Sequence, residues 1–497
     1  MNKVLSKSDY HLYLKHPAWL WLKKHEPKKL PAIDANLQAM FDAGHEFESY
    51  AEALFPGGVT LGWDPTNYGS YQTLPGRTRA AIANNAPVIF QGRLEANGIT
   101  AISDVLVRVD DHTFDLFEIK SSTKAKAEHI DDLAFQTHLL ELTGYSVRNI
   151  GVVHVNSSYV RQGAVEPLEL CTQTDVTEAV KARLSVTIEK IAEAQAVVSQ
   201  SNCPDLSPRF ASGEYFKQWL EIYFSLNPDL PKDSIYQLNR LNPELVGQIE
   251  DSGAKHIGDI SADLPLKKEQ QRQIAVVRSG QRSIDLPRVQ EFLAQLQYPL
   301  YFLDYETLMK TIPPFDGASP YQQIPFQYSL HIINAPGDEP LHREFLHQQN
   351  SDPRPALVEQ LRQDIKDEGS VIVWYQPFEK GRNAEMGQSL PEHADWLSAL
   401  NERVVDLMIP FSTGLVDDVG FKGSASIKSV LPVLVPSLTY SELNVQGGQT
   451  AQRLYMETVL EGKHPAERAQ IMKDLLAYCK LDTLAMVEIY NYLVSVT

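Results

Sequence analysis

Two groups of acidic residues in this 497-residue chain have the types and spacing that chemistry at a phosphate ester requires. In FDLFEIK, residues Phe114, Leu116, Glu118 and Lys120 recur with period two, which on a strand sets Glu118 and Lys120 on one face. Asp104, in ITAISDVLVRV, shares its face with Ile102 and Leu106, and a hairpin between the two runs brings its carboxylate beside Glu118. Two carboxylates hold a hard divalent cation through oxygen, and a neighbouring lysine helps the metal generate and orient hydroxide. A charged pair on a surface hairpin gives the same short pattern. Here, however, the charges lie among Leu116, Phe117 and Ile119, where a charge is costly unless a ligand or partner retains it.

The second group begins in LYFLDYET, where Leu300, Phe302, Asp304 and Glu306 fall on one strand face and two carboxylates project side by side. Like charges this close repel, and a shared cation relieves the repulsion as a salt bridge or sheet edge otherwise would. In LLAYCKLDTLAMVEIY, Tyr478 and Asp482 stand four residues apart on a helix with Leu475, Leu476, Leu481 and Met486 around them. Such a pair can simply hydrogen-bond in a core, but the upstream Asp-x-Glu strand favours Asp482 as a further metal-bound carboxylate.

The elements that must position these groups follow from periodicity. Apolar spacing is helical from Ser6 to about Gly57 and alternating from Val88 to Lys120, with a turn at Asp110-Asp111. A helix from about Lys124 to Leu142 stops at Gly144, and NIGVVHVN is strand-like. Between about Pro204 and Val289 the chain breaks into short helices. There LNPELVGQIEDSGAKHIGDI suggests two helices around a glycine turn, either packing between domains or gripping a phosphate backbone as a helix-hairpin-helix-like module. A new unit begins at YPLYFLDYE, continues through QIPFQYSLHII and SVIVWY, and ends in long helices. The expected class is α/β (α+β), with domains at 1–205 and 291–497 and a helical connector at 206–290.

Composition sets limits. Lys and Arg number 45 against 63 Asp and Glu, a net charge of -18, which disfavours a surface coated in basic residues and leaves phosphate contacts to a local groove and to metals. Cys171, Cys203 and Cys479 are too few and too scattered for a disulfide framework or a thiolate metal site. No run of about 18 apolar residues occurs, so no membrane association is expected, and the reading is cytoplasmic.

The first group and its flanks resemble the PD-(D/E)xK nucleases of the RecB family, including CRISPR-associated members, over roughly residues 1–200. That resemblance implies a restriction-endonuclease-like fold in which Asp104 and Glu118 bind metal and Lys120 is catalytic. In GHEFE it assigns Gly44 and, as a metal ligand, Glu48, with His45 the alternative. Gln136 and Tyr145 match the family's Q…Y pattern, which supports the site and the DNA strand. Ser103 replaces the proline of the family name. Many relatives carry a four-cysteine iron-sulfur cluster; here His16 in KHPAWLW takes the first position and only Cys203 remains near the others, so no cluster is expected. Trp19, Leu20, Trp21 and Leu22 are then left to pin the N-terminal segment by hydrophobic contact.

Residues from about Glu291 to Thr497 resemble the DnaQ-like, RNase H-fold exonucleases of the DEDDy type. By that resemblance Asp304, Glu306 and Asp482 bind two Mg²⁺ or Mn²⁺ ions and Tyr478 positions the attacking water for 3′-5′ release of nucleotides. VIVWYQPFEKGRN offers Gln376 and Glu379 for the remaining carboxylate, and Glu379 is the candidate. Asp406 matches an auxiliary position, or caps an element. Ser424 is placed to cap a helix carrying Lys428, which with Arg382, Lys422 and Arg453 would line a phosphate-neutralising groove. The whole chain resembles a bacterial family in which the two domains are fused. It implies a nuclease in DNA repair, processing or defence, with single-stranded DNA the expected partner. The rivals are a nucleic-acid-binding scaffold with one or both sites inactive, and a phosphodiesterase of small nucleotides.

Overall fold

The computed structural model describes residues 4–64 and 66–497. The chain divides into two compact units: Met1–Leu230 with Asn242–Glu244 and Lys310–Tyr321, and Pro231–Leu241 with Leu245–Met309 and Gln322–Thr497. Both mix helices with a sheet of parallel and antiparallel strands. The segment 206–290 forms no unit of its own. Residues 206–230 fold with the first unit and nearly all the rest with the second.

Among the described residues the first unit is built on seven strands: β1 (Leu5–Ser6), β2 (Gly58–Thr60), β3 (Val88–Ala96), β4 (Ile99–Arg108), β5 (Thr113–Lys120), β6 (Ser146–Val155) and β7 (Cys171–Asp175). They lie in the order β2-β3-β4-β5-β6-β7, with β1 paired in parallel to β4. The alternating stretch from Val88 to Lys120 is thus three strands rather than two. Its first reversal is Asn97-Gly98, at φ 48° and 76°, the two positive angles that a tight two-residue hairpin demands and that Asn-Gly tolerates. On one face, Phe47 and Ala51 of the helix Ala35–Glu52 pack against Val105, Ile119 and Val153. On the other lies the helix Ala127–Leu142, whose run ends before Gly144 at φ 87°, the left-handed position a side chain would strain.

His16 is fully buried. Its ring stacks on Trp219 at 3.9 Å, its Nε2 pairs with the Ser207 carbonyl at 3.0 Å, and Trp19 lies 5.9 Å from Trp219. Aromatic burial thus ties the N-terminal segment to residues 206–230. Among the described residues no helix is long and apolar enough to cross a membrane.

The second unit holds β8 (Ser283–Ile284), β9 (Leu300–Leu308), β10 (Ile324–Ile333), β11 (Leu341–Leu346), β12 (Ser370–Val373), β13 (Val404–Asp406) and β14 (Val416–Asp417). Five form a sheet in the order β11-β10-β9-β12-β13, antiparallel from β11 to β9 and parallel from there to β13; β8 and β14 pair separately. The two faces of β9 divide as its period-two pattern requires. Tyr301, Leu303 and Tyr305 enter a core with Tyr328, Leu330, Leu357, Val371 and Met386. Phe302 faces the C-terminal helix Arg468–Ser495, 5.7 Å from Tyr490, and Asp304 and Glu306 share its face. The helices Pro243–Asp251 and Lys268–Ser279 close over an apolar cluster of Ile235, Leu245, Ile249, Ile257 and Ile274.

Candidate metal centre and a second acidic cluster

Carboxylate oxygens of Asp304, Glu306 and Asp482 lie within 4.8 Å of one another, the single group among the described residues with this geometry. Strand β9 supplies the first two from alternate positions and the C-terminal helix supplies the third, one turn after Tyr478. Glu306 and Asp482 are buried, each 8 % exposed, and Asp304 is half-buried. Burial, then the charge of Asp482, holds the Asp304 carboxyl well above the usual range; burial, then Asp304 and Asp482, does the same to Glu306. Asp482 is pushed up to about 6 by burial, restrained by the Tyr440 hydroxyl and the Lys428 charge. Three oxygen donors whose ionised forms repel one another fit a hard divalent cation such as Mg²⁺ or Mn²⁺.

Around this group opens a cleft of about 300 Å³ lined also by Phe378, Ile427, Lys428, Gly448 and Tyr478. Lys428, from the helix Ile427–Leu434, sends Nζ to the Gln446 carbonyl at 2.7 Å and the Tyr478 hydroxyl at 3.3 Å, which places it at the acidic centre. Ser426, not Ser424, is the N-cap of that helix; the Ser424 hydroxyl accepts from the Ser426 amide instead. Burial and then Asp482 push the Tyr478 phenol far upward, so it stays a donor.

Glu379, on the helix Gln376–Ser389, lies outside the three-carboxylate group. It is 1 % exposed, its Oε2 lacks a hydrogen-bond partner, and burial followed by the charges of Asp304 and Glu306 keeps its carboxyl well above normal. Asp406 is a cap: its oxygens accept from the amides of Tyr375, Gln376 and Met408 at 3.0, 2.9 and 3.0 Å, fixing the start of the Glu379 helix. Arg382 is engaged by Gln323 and Glu385 at 2.7 and 2.6 Å and stacks over Phe378, and Arg453 pairs with Glu457 at 2.8 Å.

In the first unit, Asp104, Glu118, Lys120 and Gln136 meet as their spacing implies. Asp104 accepts the Ile119 amide at 2.8 Å, Lys120 reaches Glu118 at 2.8 Å, and Gln136 donates to the other Glu118 oxygen at 2.6 Å. Two further residues complete the cluster. Lys7, on the first helix, lies 2.7 Å from Glu118, and Asp132 lies 2.8 Å from Lys120 and 2.5 Å from His11. Asp132 stands one helical turn before Gln136, a spacing visible in the sequence; Lys7 carries no local signal.

Charge sets the state of each group. Burial opposes ionisation of Glu118 and Asp132, but Lys120 and Lys7 outweigh it for Glu118, and Lys7, Lys120 and His11 for Asp132, so both are held below the ordinary range. Burial and the Glu118 charge lift Asp104 to about 8. Glu48 is half-buried, and burial raises its carboxyl, with the Glu118 charge adding to it. His45 is exposed. Tyr145 stands edge-on to Phe114 at 5.4 Å, six residues up the strand from Lys120 and so about 20 Å away. It is not part of the cluster.

An acidic, oxygen-lined centre on a mixed α/β unit defines the class to which the second unit's site belongs. Residues 301–426, which include Asp304, Glu306, Glu379 and Asp406, match the family described as "Domain of unknown function (DUF2779)". The chain is also similar to the "Uncharacterized protein MG366 homolog" of Mycoplasma pneumoniae, 29% identical over 208 residues, and to the "Uncharacterized protein MG366" of Mycoplasma genitalium, 26% identical over 213 residues. These matches cover 38% and 39% of this chain and 31% of each relative, so the chain spans about a third of the length of the curated relatives it matches.

Proposed function

We propose that this chain is a divalent-metal-dependent nuclease that hydrolyses phosphodiester bonds of nucleic acid, single-stranded DNA foremost, at the centre formed by Asp304, Glu306 and Asp482. The observation that carries the reading is the convergence of these three carboxylates, two of them buried and one half-buried, within 4.8 Å. They would hold Mg²⁺ or Mn²⁺, which supplies Lewis acidity and an activated water when bound. The Tyr478 hydroxyl, kept protonated, orients the attacking water. Lys428 offers positive charge to the phosphate, and Phe378 and Ile427 give the cleft apolar walls for a sugar or base. The order of elements and the Tyr478/Asp482 spacing support an RNase H-like exonuclease of the DEDDy type acting 3′-5′, with Glu379 as the remaining carboxylate.

For the first unit, Asp104, Glu118, Lys120 and Gln136 support a PD-(D/E)xK reading with Glu48 as the further ligand. A second reading, a nucleic-acid-binding module that does not cut, is favoured by one observation: Lys7 and Lys120 already neutralise Glu118. The test is hydrolysis of end-labelled single- and double-stranded DNA and RNA with Mg²⁺ or Mn²⁺, with short dinucleotides as competitors. Asp304→Ala is expected to abolish stepwise 3′ release and Lys120→Ala a separable activity. Wild-type cutting by Asp304→Ala overturns the assignment of the centre.

A further inference from the structure

We propose that Tyr440 is a positioning residue of the carboxylate centre, orienting Asp482 for the cation, and that the segment 440–448 is the strap that holds it there. The inference rests on the metal-dependent reading above. Tyr440 comes from irregular chain between the helices Ile427–Leu434 and Gly448–Tyr455, yet it is only 8 % exposed and donates from its hydroxyl to Asp482 Oδ1 at 2.7 Å. A buried phenol needs one acceptor, and any backbone carbonyl would serve. This one takes an oxygen of a residue in the three-carboxylate group, which arrests rotation of that carboxylate and fixes where its remaining lone pairs point. Partners that hydrogen-bond to metal ligands in this way tune affinity because an unrestrained ligand must be ordered when the metal arrives.

The rest of the strap touches the same centre at three more points. The Gln446 carbonyl accepts from Lys428 Nζ at 2.7 Å. A Cβ on Gly447 would stand 3.8 Å from that Nζ, and one on Gly448 would stand 3.6 Å from Glu306 Oε2, so the backbone runs directly over both groups. Lys428 Nζ in turn stands 5.3 Å from the ring centroids of both Tyr440 and Tyr478, whose rings are 6.3 Å apart. One ammonium therefore holds together the two tyrosines, the strap and the C-terminal helix. The hydroxyl of Tyr440 has a role separable from its ring: the ring packs and faces Lys428, while the hydroxyl alone reaches Asp482.

The experiment is Mn²⁺ titration by calorimetry on the full chain, with the binding event of this centre identified as the one lost in Asp482→Asn. Tyr440→Phe keeps the ring and is expected to weaken that event by about 10- to 100-fold. Hydrolysis should then need correspondingly more Mn²⁺, with kcat recovering at saturating metal and the substrate KM little changed, a rescue that a merely structural role would not give. An unchanged Mn²⁺ titration in Tyr440→Phe overturns the proposal and leaves the hydrolytic reading standing. A wild type with no Asp482-dependent Mn²⁺ binding overturns both. Should Tyr440→Phe not fold, the near-ultraviolet tyrosine spectrum decides: in a Tyr478→Phe background Mn²⁺ should perturb it, and an unperturbed spectrum overturns the proposal.

Discussion

The ammonium of Lys7 stands 2.7 Å from Oε1 of Glu118, the same oxygen that Lys120 holds at 2.8 Å. Two tethered cations on one buried carboxylate oxygen supply the charge compensation that a bound cation would otherwise give. Burial pulls the Lys7 ammonium toward neutrality, but Asp132 and Glu118 more than offset this and keep it charged. Lys7→Met preserves the apolar stem and removes the charge. Without added metal the variant should be less stable, by up to about 3 kcal/mol because Lys120 still partners Glu118. Thermal unfolding in chelator and in Mn²⁺ checks this: Mn²⁺ should raise the midpoint of Lys7→Met more than that of the wild type. Equal midpoints for both proteins in both conditions would sink the idea that Lys7 stands in for a cation.

The centre in the second unit should make the metal-free protein less stable as pH rises. Asp482 goes from an ordinary 3.8 to about 6, with burial the main cause, so between these values the folded chain holds a proton that the unfolded chain has released. Its stabilising contribution is complete below about pH 4 and is lost as pH climbs through 6, on the order of 3 kcal/mol for this group. Asp304 and Glu306, raised well above their usual values, extend the loss to higher pH. Asp482→Asn mimics the protonated form, so in chelator the wild type should lose stability relative to the variant from pH 4 to 7, and Mn²⁺ should remove the difference. Denaturant unfolding at a series of pH values tests this, and parallel curves for the two proteins would contradict it.

Both acidic groups were visible in the sequence where local backbone geometry dictates side-chain direction. Period two fixed Glu118 with Lys120 and Asp304 with Glu306, and the four-residue spacing fixed Tyr478 with Asp482. Helix and strand type followed for the same reason. What stayed hidden comes from distant chain. Lys7 is 111 residues from Glu118, and Tyr440 is 42 from Asp482 in a segment without periodicity. The Asn97-Gly98 reversal carried a turn signal that the alternating pattern on either side masked. Tyr145 packs edge-on against Phe114, toward the other end of that strand from Lys120, because a matching order of residues does not fix which end of a strand a side chain packs against.

Asp406 should matter to the fold more than to the chemistry. Its carboxylate accepts three backbone amides, and one of them belongs to Tyr375, which lies at φ 80°. Asp406→Ala leaves those donors at a helix start without their acceptor, a cost of about 2–4 kcal/mol from the lost cap and the desolvated amides. Asp406→Asn should recover part of it, since the amide oxygen still accepts. Hydrogen exchange of the amides of Tyr375, Gln376 and Met408 reads the effect directly. Protection equal to wild type in Asp406→Ala would show that the cap is dispensable.

Glu379 separates stability from function. Its Oε2 is buried without a partner beside Asp304 and Glu306, and like charges oppose its ionisation, so with no cation present the carboxylate is a liability. Glu379→Gln removes the charge at nearly constant volume and should raise the metal-free unfolding midpoint at neutral pH. If the carboxylate is kept for the cations, the same variant should lose at least tenfold in hydrolysis at saturating Mn²⁺, the scale expected when a metal ligand or its immediate support is removed. Unfolding in chelator and initial rates on labelled single-stranded DNA give the two numbers. A variant that is more stable and fully active would assign Glu379 to neither metal and leave Asp304, Glu306 and Asp482 to hold the cations alone.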